Sequence, residues 1–122
     1  MDAANRAIIA YIAGRLITGA SGWSVRDHDR KRLVQFEAFL EGGEIKVYCH
    51  ELHGTVSGRG AEGRYMLFQH RVNGSVDLLI NAEEKTFSGW EHRSCFHFFG
   101  NAQDRAVRLF DYQDQRWHLY TL

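Results

Sequence analysis

A triplet recurs along this chain at a nearly constant step. Tyr48-Cys49-His50, Phe68-Gln69-His70, Trp90-Glu91-His92 and Phe110-Asp111-Tyr112 start 20, 22 and 20 residues apart, and a fainter copy, Arg26-Asp27-His28, starts 22 residues before the first. A fixed period of this kind marks one supersecondary unit used repeatedly, and it outranks local propensity as a guide to the fold. Each unit reads as a β-hairpin: the first strand carries the triplet, a turn follows, and an alternating apolar strand returns. Five copies then give about ten strands, since strands are typically 3–10 residues long.

The turn chemistry agrees. Asn73-Gly74 is a two-residue hairpin signal, because a primed turn needs positive φ at both central positions. His53-Gly54, Asp29-Arg30-Lys31 and Gln113-Asp114-Gln115 occupy the equivalent place, and polar, glycine-containing stretches such as Glu41-Gly42-Gly43 and Gly58 to Gly63 lie between hairpins. The chain has no proline, so every strand residue can donate to a ladder.

Alternation sorts the strand faces. Trp23 and Val25, Ile45 and Val47, Tyr65 and Leu67, Phe87 and Gly89, and Val107 and Leu109 share one side, which the aliphatic residues mark as the core. Returning strands add Val34, Phe36, Leu40, Val56, Val76, Leu78, Ile80, Phe96 and Phe98 to that side. In the last strand Trp117 and Leu119 compete with His118 and Tyr120 for the inward side. The aromatic and His members of each triplet fall on the opposite face. Exposed sheet edges template aggregation, and closure removes them. The expected fold is therefore mainly β: an up-and-down antiparallel meander forming a closed or strongly curled barrel.

Ahead of the repeats, Ala4, Ile8, Tyr11, Ile12 and Leu16 follow the spacing of one helical face, with Asp2 placed to cap it. This predicts an amphipathic helix over residues 1–18, covering an open end or an apolar face, followed by hairpins over residues 21–122. A chain of 122 residues fits a single domain over 1–122.

Composition narrows the function. Fifteen basic residues balance fifteen acidic ones, which leaves no field to draw in nucleic acid or an anionic membrane. The segment around Ile8 to Ile17 is interrupted by Arg6 and Arg15 and lacks the form of a signal peptide, which points to the cytoplasm. There, Cys49 and Cys95 are expected as thiols.

Seven histidines invite a metal or proton-transfer reading, and His28, His50, His70 and His92 share one repeat position. Equivalent positions two strands apart are about 10 Å distant, too far to share an ion held at about 2.1 Å. A residue recurring once per repeat is better explained by one local packing job done repeatedly. His50-Glu51-Leu52-His53 has ligand spacing of three rather than the four that a helical zinc motif needs. Cys95 and His97 would share a strand face, but no second ligand pair accompanies them. Asp27, Glu91 and Asp111, the acidic middle members of triplets, read as solvated carboxylates near strand ends. No catalytic residue, metal ligand or cofactor is assigned.

The aromatic stripe is the better surface, because aromatic groups bring large contact area at low entropic cost. Tyr48, His50, Phe68, His70, Trp90, His92, Phe110 and Tyr112 form the candidate binding surface. The expected function is a non-enzymatic interaction module that binds a protein partner or its own copy. The alternative is a barrel-type carrier of a small apolar ligand, with a His-based metal protein ranked below both.

Overall fold

The computed structural model describes residues 1–122. One helix, α1 (Ala3–Thr18), precedes ten strands: β1 (Ser24–Asp27), β2 (Arg32–Glu41), β3 (Glu44–Cys49), β4 (Gly54–Ala61), β5 (Arg64–Gln69), β6 (Gly74–Asn81), β7 (Thr86–Glu91), β8 (Phe96–Gln103), β9 (Ala106–Asp111) and β10 (Arg116–Thr121). Every strand pairs antiparallel with its sequence neighbours, and β1 pairs with β10 to close the barrel. The five-hairpin, ten-strand meander expected from the repeat is the observed fold. The closing seam is its narrowest join, with two register pairs, Arg26 with Thr121 and Asp27 with Tyr120, where β9 and β10 share six.

The helix does not cover the barrel; it threads it. Ala7 to Gly14 are all buried, on every side of α1. The residues that look neutral on an amphipathic wheel, Ala7, Ala10, Ala13 and Gly14, are what allow this, because small side chains let surrounding strands approach. At Gly14 an added Cβ would lie 2.7 Å from Val107 Cγ2 and 3.0 Å from Leu122 Cδ1. Asp2 caps the helix by accepting the Asn5 backbone N–H at 2.8 Å, and Gly19 ends it in the left-handed conformation.

The inward aliphatic set packs on α1 as one core: Val25, Val34, Phe36, Ile45, Val47, Val56, Leu67, Val76, Leu78, Phe87, Phe98, Val107 and Leu109 are all buried in it. Two core assignments are overturned. Trp23, which precedes β1, is 63% exposed, and Phe96, the first residue of β8, is 40% exposed at the end of its strand. In β10 the register puts Trp117 beside Phe110 on the outside, and His118 and Tyr120 turn inward.

The turns also differ from expectation. Asn73-Gly74 is not a two-residue primed turn, since only Asn73 has positive φ and Gly74 begins β6. The five turns after the triplets share one longer form, each ending in a left-handed residue: Lys31, His53, Asn73, Cys95 and Gln115. Tight primed turns lie at the other end of the barrel, where Gly42-Gly43 and Glu62-Gly63 both take positive φ. Gly58 and Gly60 are strand residues rather than linkers.

Candidate functional site

The triplets place three chemistries at three depths. Their middle members point into the barrel: Asp27, Cys49, Gln69, Glu91 and Asp111 are all buried, forming a polar collar at one mouth. The expected solvation of Asp27, Glu91 and Asp111 is thus wrong. Their burial is compensated because the N-terminal end of α1 enters the barrel there. Asp111 Oδ2 lies 3.2 Å from the Met1 amino group and 3.2 Å from Arg6 Nη1, and Glu91 Oε1 lies 3.5 Å from that amino group. Gln69 Nε2 donates to Glu91 Oε2 at 3.1 Å. Negative groups at a helix N-terminus are also favoured by the helix dipole. Asp27 is satisfied differently, by accepting the backbone N–H groups of Asp29 and Arg30.

The outer members do the repeated local job expected of them. Each ring rests edge-on against its aromatic neighbour two residues earlier: His50 on Tyr48 at 4.7 Å, His70 on Phe68 at 4.8 Å, His92 on Trp90 at 6.4 Å and Tyr112 on Phe110 at 5.1 Å. Each imidazole then reaches the adjacent strand. His28 Nε2 lies 2.7 Å from Thr121 Oγ1, His50 Nε2 2.8 Å from Glu37 Oε2, His70 Nε2 2.7 Å from Ser57 Oγ, and His92 Nε2 3.0 Å from Asp77 Oδ2. The histidines therefore act as cross-strand ties around the barrel. No group of three or more His, Cys, Asp or Glu side chains is placed to hold a metal ion. Cys95 sits in the β7–β8 turn and not on a strand face with His97, and both cysteines are free thiols.

The eight candidate residues are spread around the barrel wall, and one pair gathers a true cluster. Phe99, Phe110 and Trp117 lie side by side in register across β8, β9 and β10. Ring centroids are 5.5 Å apart for Phe99 and Phe110, 5.4 Å for Phe110 and Trp117, and 5.7 Å for Phe99 and Tyr112. Phe99, Tyr112 and Trp117 are 36%, 46% and 51% exposed, and Leu119 is exposed beside them. An open hollow of about 290 Å³ lies between Ser88, His97, Phe99 and Tyr112. Sequence reasoning missed Phe99 and Trp117 because they belong to returning strands, outside the triplet; cross-strand register was the signal that joins them to Phe110.

His118, 3% exposed, is the least exposed imidazole at either end of the barrel. Its Nε2 lies 2.7 Å from Asp114 Oδ2, and its Nδ1 is hydrogen-bonded to Asp29 Oδ2. Asp29 comes from the β1–β2 turn and Asp114 from the β9–β10 turn, so this imidazole staples the narrow seam. With both ring nitrogens occupied by carboxylates, it has no free nitrogen with which to act on a substrate. Burial alone would raise the Asp114 carboxyl, but the hydrogen bond and charge of His118 and the charge of Arg6 outweigh it and hold the group below the ordinary aspartate range. A carboxyl depressed in the folded state stabilises fully above its unfolded value, near 3.8, and loses that contribution as pH falls through the folded value. Asp114→Asn is therefore expected to lower stability at pH 7 and flatten its fall below about pH 4, as read by urea unfolding across pH 2.5–7.

Tyr120, inward beside the collar, is held by Arg6, and burial pushes its phenol well above the ordinary tyrosine value. No helix is long and apolar enough to cross a membrane. Neither protein-family models nor curated proteins nor solved structures give a match to this chain, so the assignment of a site rests on its geometry.

Proposed function

We propose that this protein is a non-catalytic interaction module that presents the aromatic face of β8, β9 and β10 to a protein, in the first instance a second copy of itself. The observation that carries this reading is the register-aligned cluster of Phe99, Phe110 and Trp117, flanked by exposed Tyr112 and Leu119. Apolar surface buried on association contributes about 25 cal/mol per Å² before the costs of association, and aromatic anchors of this kind dominate interface energetics. A closed barrel has no free strand edge to offer. Association through the outer side chains is the route that remains. The carrier alternative is disfavoured because α1 occupies the lumen in which a ligand would sit.

The test is sedimentation velocity on the wild type and on the double substitution Phe99→Ser with Trp117→Ser. Concentration-dependent association is expected for the wild type and at least tenfold weaker association for the variant, since losing hot-spot aromatics costs about 2 kcal/mol or more. Unfolding free energy should change by less than about 1 kcal/mol, as expected for exposed positions. A wild type that stays monomeric at high concentration removes self-association, and unchanged association in the variant removes this face.

A further inference from the structure

A second concavity lies on the outer wall, across β4 to β8, and meets the aromatic face at Ser88 and His97. It is an open groove of about 600 Å³ with Met66 and Leu79 in its floor, Trp90 on one side and Arg59 and Arg64 on the other. The wall is bare where inward-facing Gly60 and Gly89 leave only backbone, and neither position has room for a side chain. A Cβ on Gly89 would lie 2.5 Å from the Asp77 carbonyl oxygen and overlap the Phe98 ring, and one on Gly60 would overlap the Arg64 carbonyl oxygen.

Two features of this groove point to a ligand. Arg59 and Arg64 share no ion pair with any carboxylate of the chain. The two lie diagonally across the β4–β5 ladder, where Ala61 opposes Arg64 and Arg59 opposes Met66. Trp90 is held between His97, at 4.5 Å, and His92, so its indole is a fixed platform.

We infer that the groove binds a planar aromatic acid, with its ring on Trp90 and its acidic group held by Arg59 and Arg64. Guanidinium forks recognise carboxylates and phosphates through paired N–H groups, and aromatic stacking orients the ring. The site meets the proposed interaction face at Ser88 and His97, but Arg59, Arg64 and Trp90 lie on β4, β5 and β7, and neither reading depends on the other.

The probe is indole-3-acetate, titrated into the full chain labelled with ¹⁵N. One control accompanies it: 3-methylindole, which lacks the acid. Expected are shifts confined to the groove, including the Trp90 indole N–H and the Leu79 amide, and weakening of about tenfold or more for the control, the loss typical of a charge-assisted hydrogen bond. The double substitution Arg59→Gln with Arg64→Gln should abolish the advantage of indole-3-acetate over 3-methylindole while leaving the spectrum of the folded barrel intact. Equal binding of 3-methylindole, shifts centred elsewhere, no shift at about 10 mM, or an undiminished response in the arginine variant would each overturn the assignment.

Discussion

Tyr11→Ala is expected to lower the unfolding free energy by about 3–5 kcal/mol, the range for truncating a large buried aromatic. Small domains are stable by only about 5–15 kcal/mol in total, so this single change should bring the barrel near its limit. Tyr11 is fully buried in α1 and stacks on Phe36 of β2 at 4.2 Å, tying the helix to the wall. Its hydroxyl donates to the Gly22 carbonyl at 2.7 Å and accepts from Arg15 Nη1 at 2.7 Å, which fixes the segment linking helix to barrel. Tyr11→Phe separates the two roles. It keeps the ring and loses the hydroxyl, and should cost about 1–2 kcal/mol, because Arg15 still reaches the Gly22 carbonyl at 3.0 Å. Urea denaturation with an unchanged m-value is the measurement. A cost below about 1 kcal/mol for Tyr11→Ala would contradict a helix packed inside the lumen.

The second large effect is expected at the collar. Asp111→Ala should cost about 3–5 kcal/mol, because removing one partner of a buried ion pair strands the other. Asp111 is 1% exposed and engages both Arg6 and the Met1 amino group through Oδ2, while Oδ1 accepts the Gln113 N–H at 3.0 Å and shapes the β9–β10 turn. Asp111→Asn retains the turn acceptor and loses the charge, so it should fall between wild type and alanine. A double-mutant cycle with Arg6→Met should return a coupling of about 1–3 kcal/mol. Additive effects would show that the pair does not act as a unit.

Much of this was readable from residue parity alone. Odd-numbered positions Val25, Val47, Leu67, Gly89 and Leu109 face inward, and the same alternation carries Asp27, Cys49, Gln69, Glu91 and Asp111 inward two residues later. Chemical intuition sent the three carboxylates outward instead. Parity prevailed because the amino-terminal end of α1 supplies the opposing charge, a long-range contact that no local pattern contains. The placement of the helix was hidden for a related reason. Ile8, Ile12 and Leu16 form a stripe that suggests one buried face, whereas alanine carries little hydrophobic signal yet decides how closely strands can surround a helix. Trp23 marks the opposite failure, in which alternation is extended past the start of the strand that imposes it. The outer cluster needed register, and register depends on turn form, which Asn73-Gly74 misreported.

The threaded arrangement constrains how the molecule is made. α1 is made before every strand that surrounds it, and its surroundings are complete only when β10 has been delivered, because Asp27 must meet Tyr120 across most of the chain. Until then an apolar segment waits without a sheath. Such non-local closure folds on the millisecond-to-second scale, so the helix gains its sheath only as the last strand zips the wall shut.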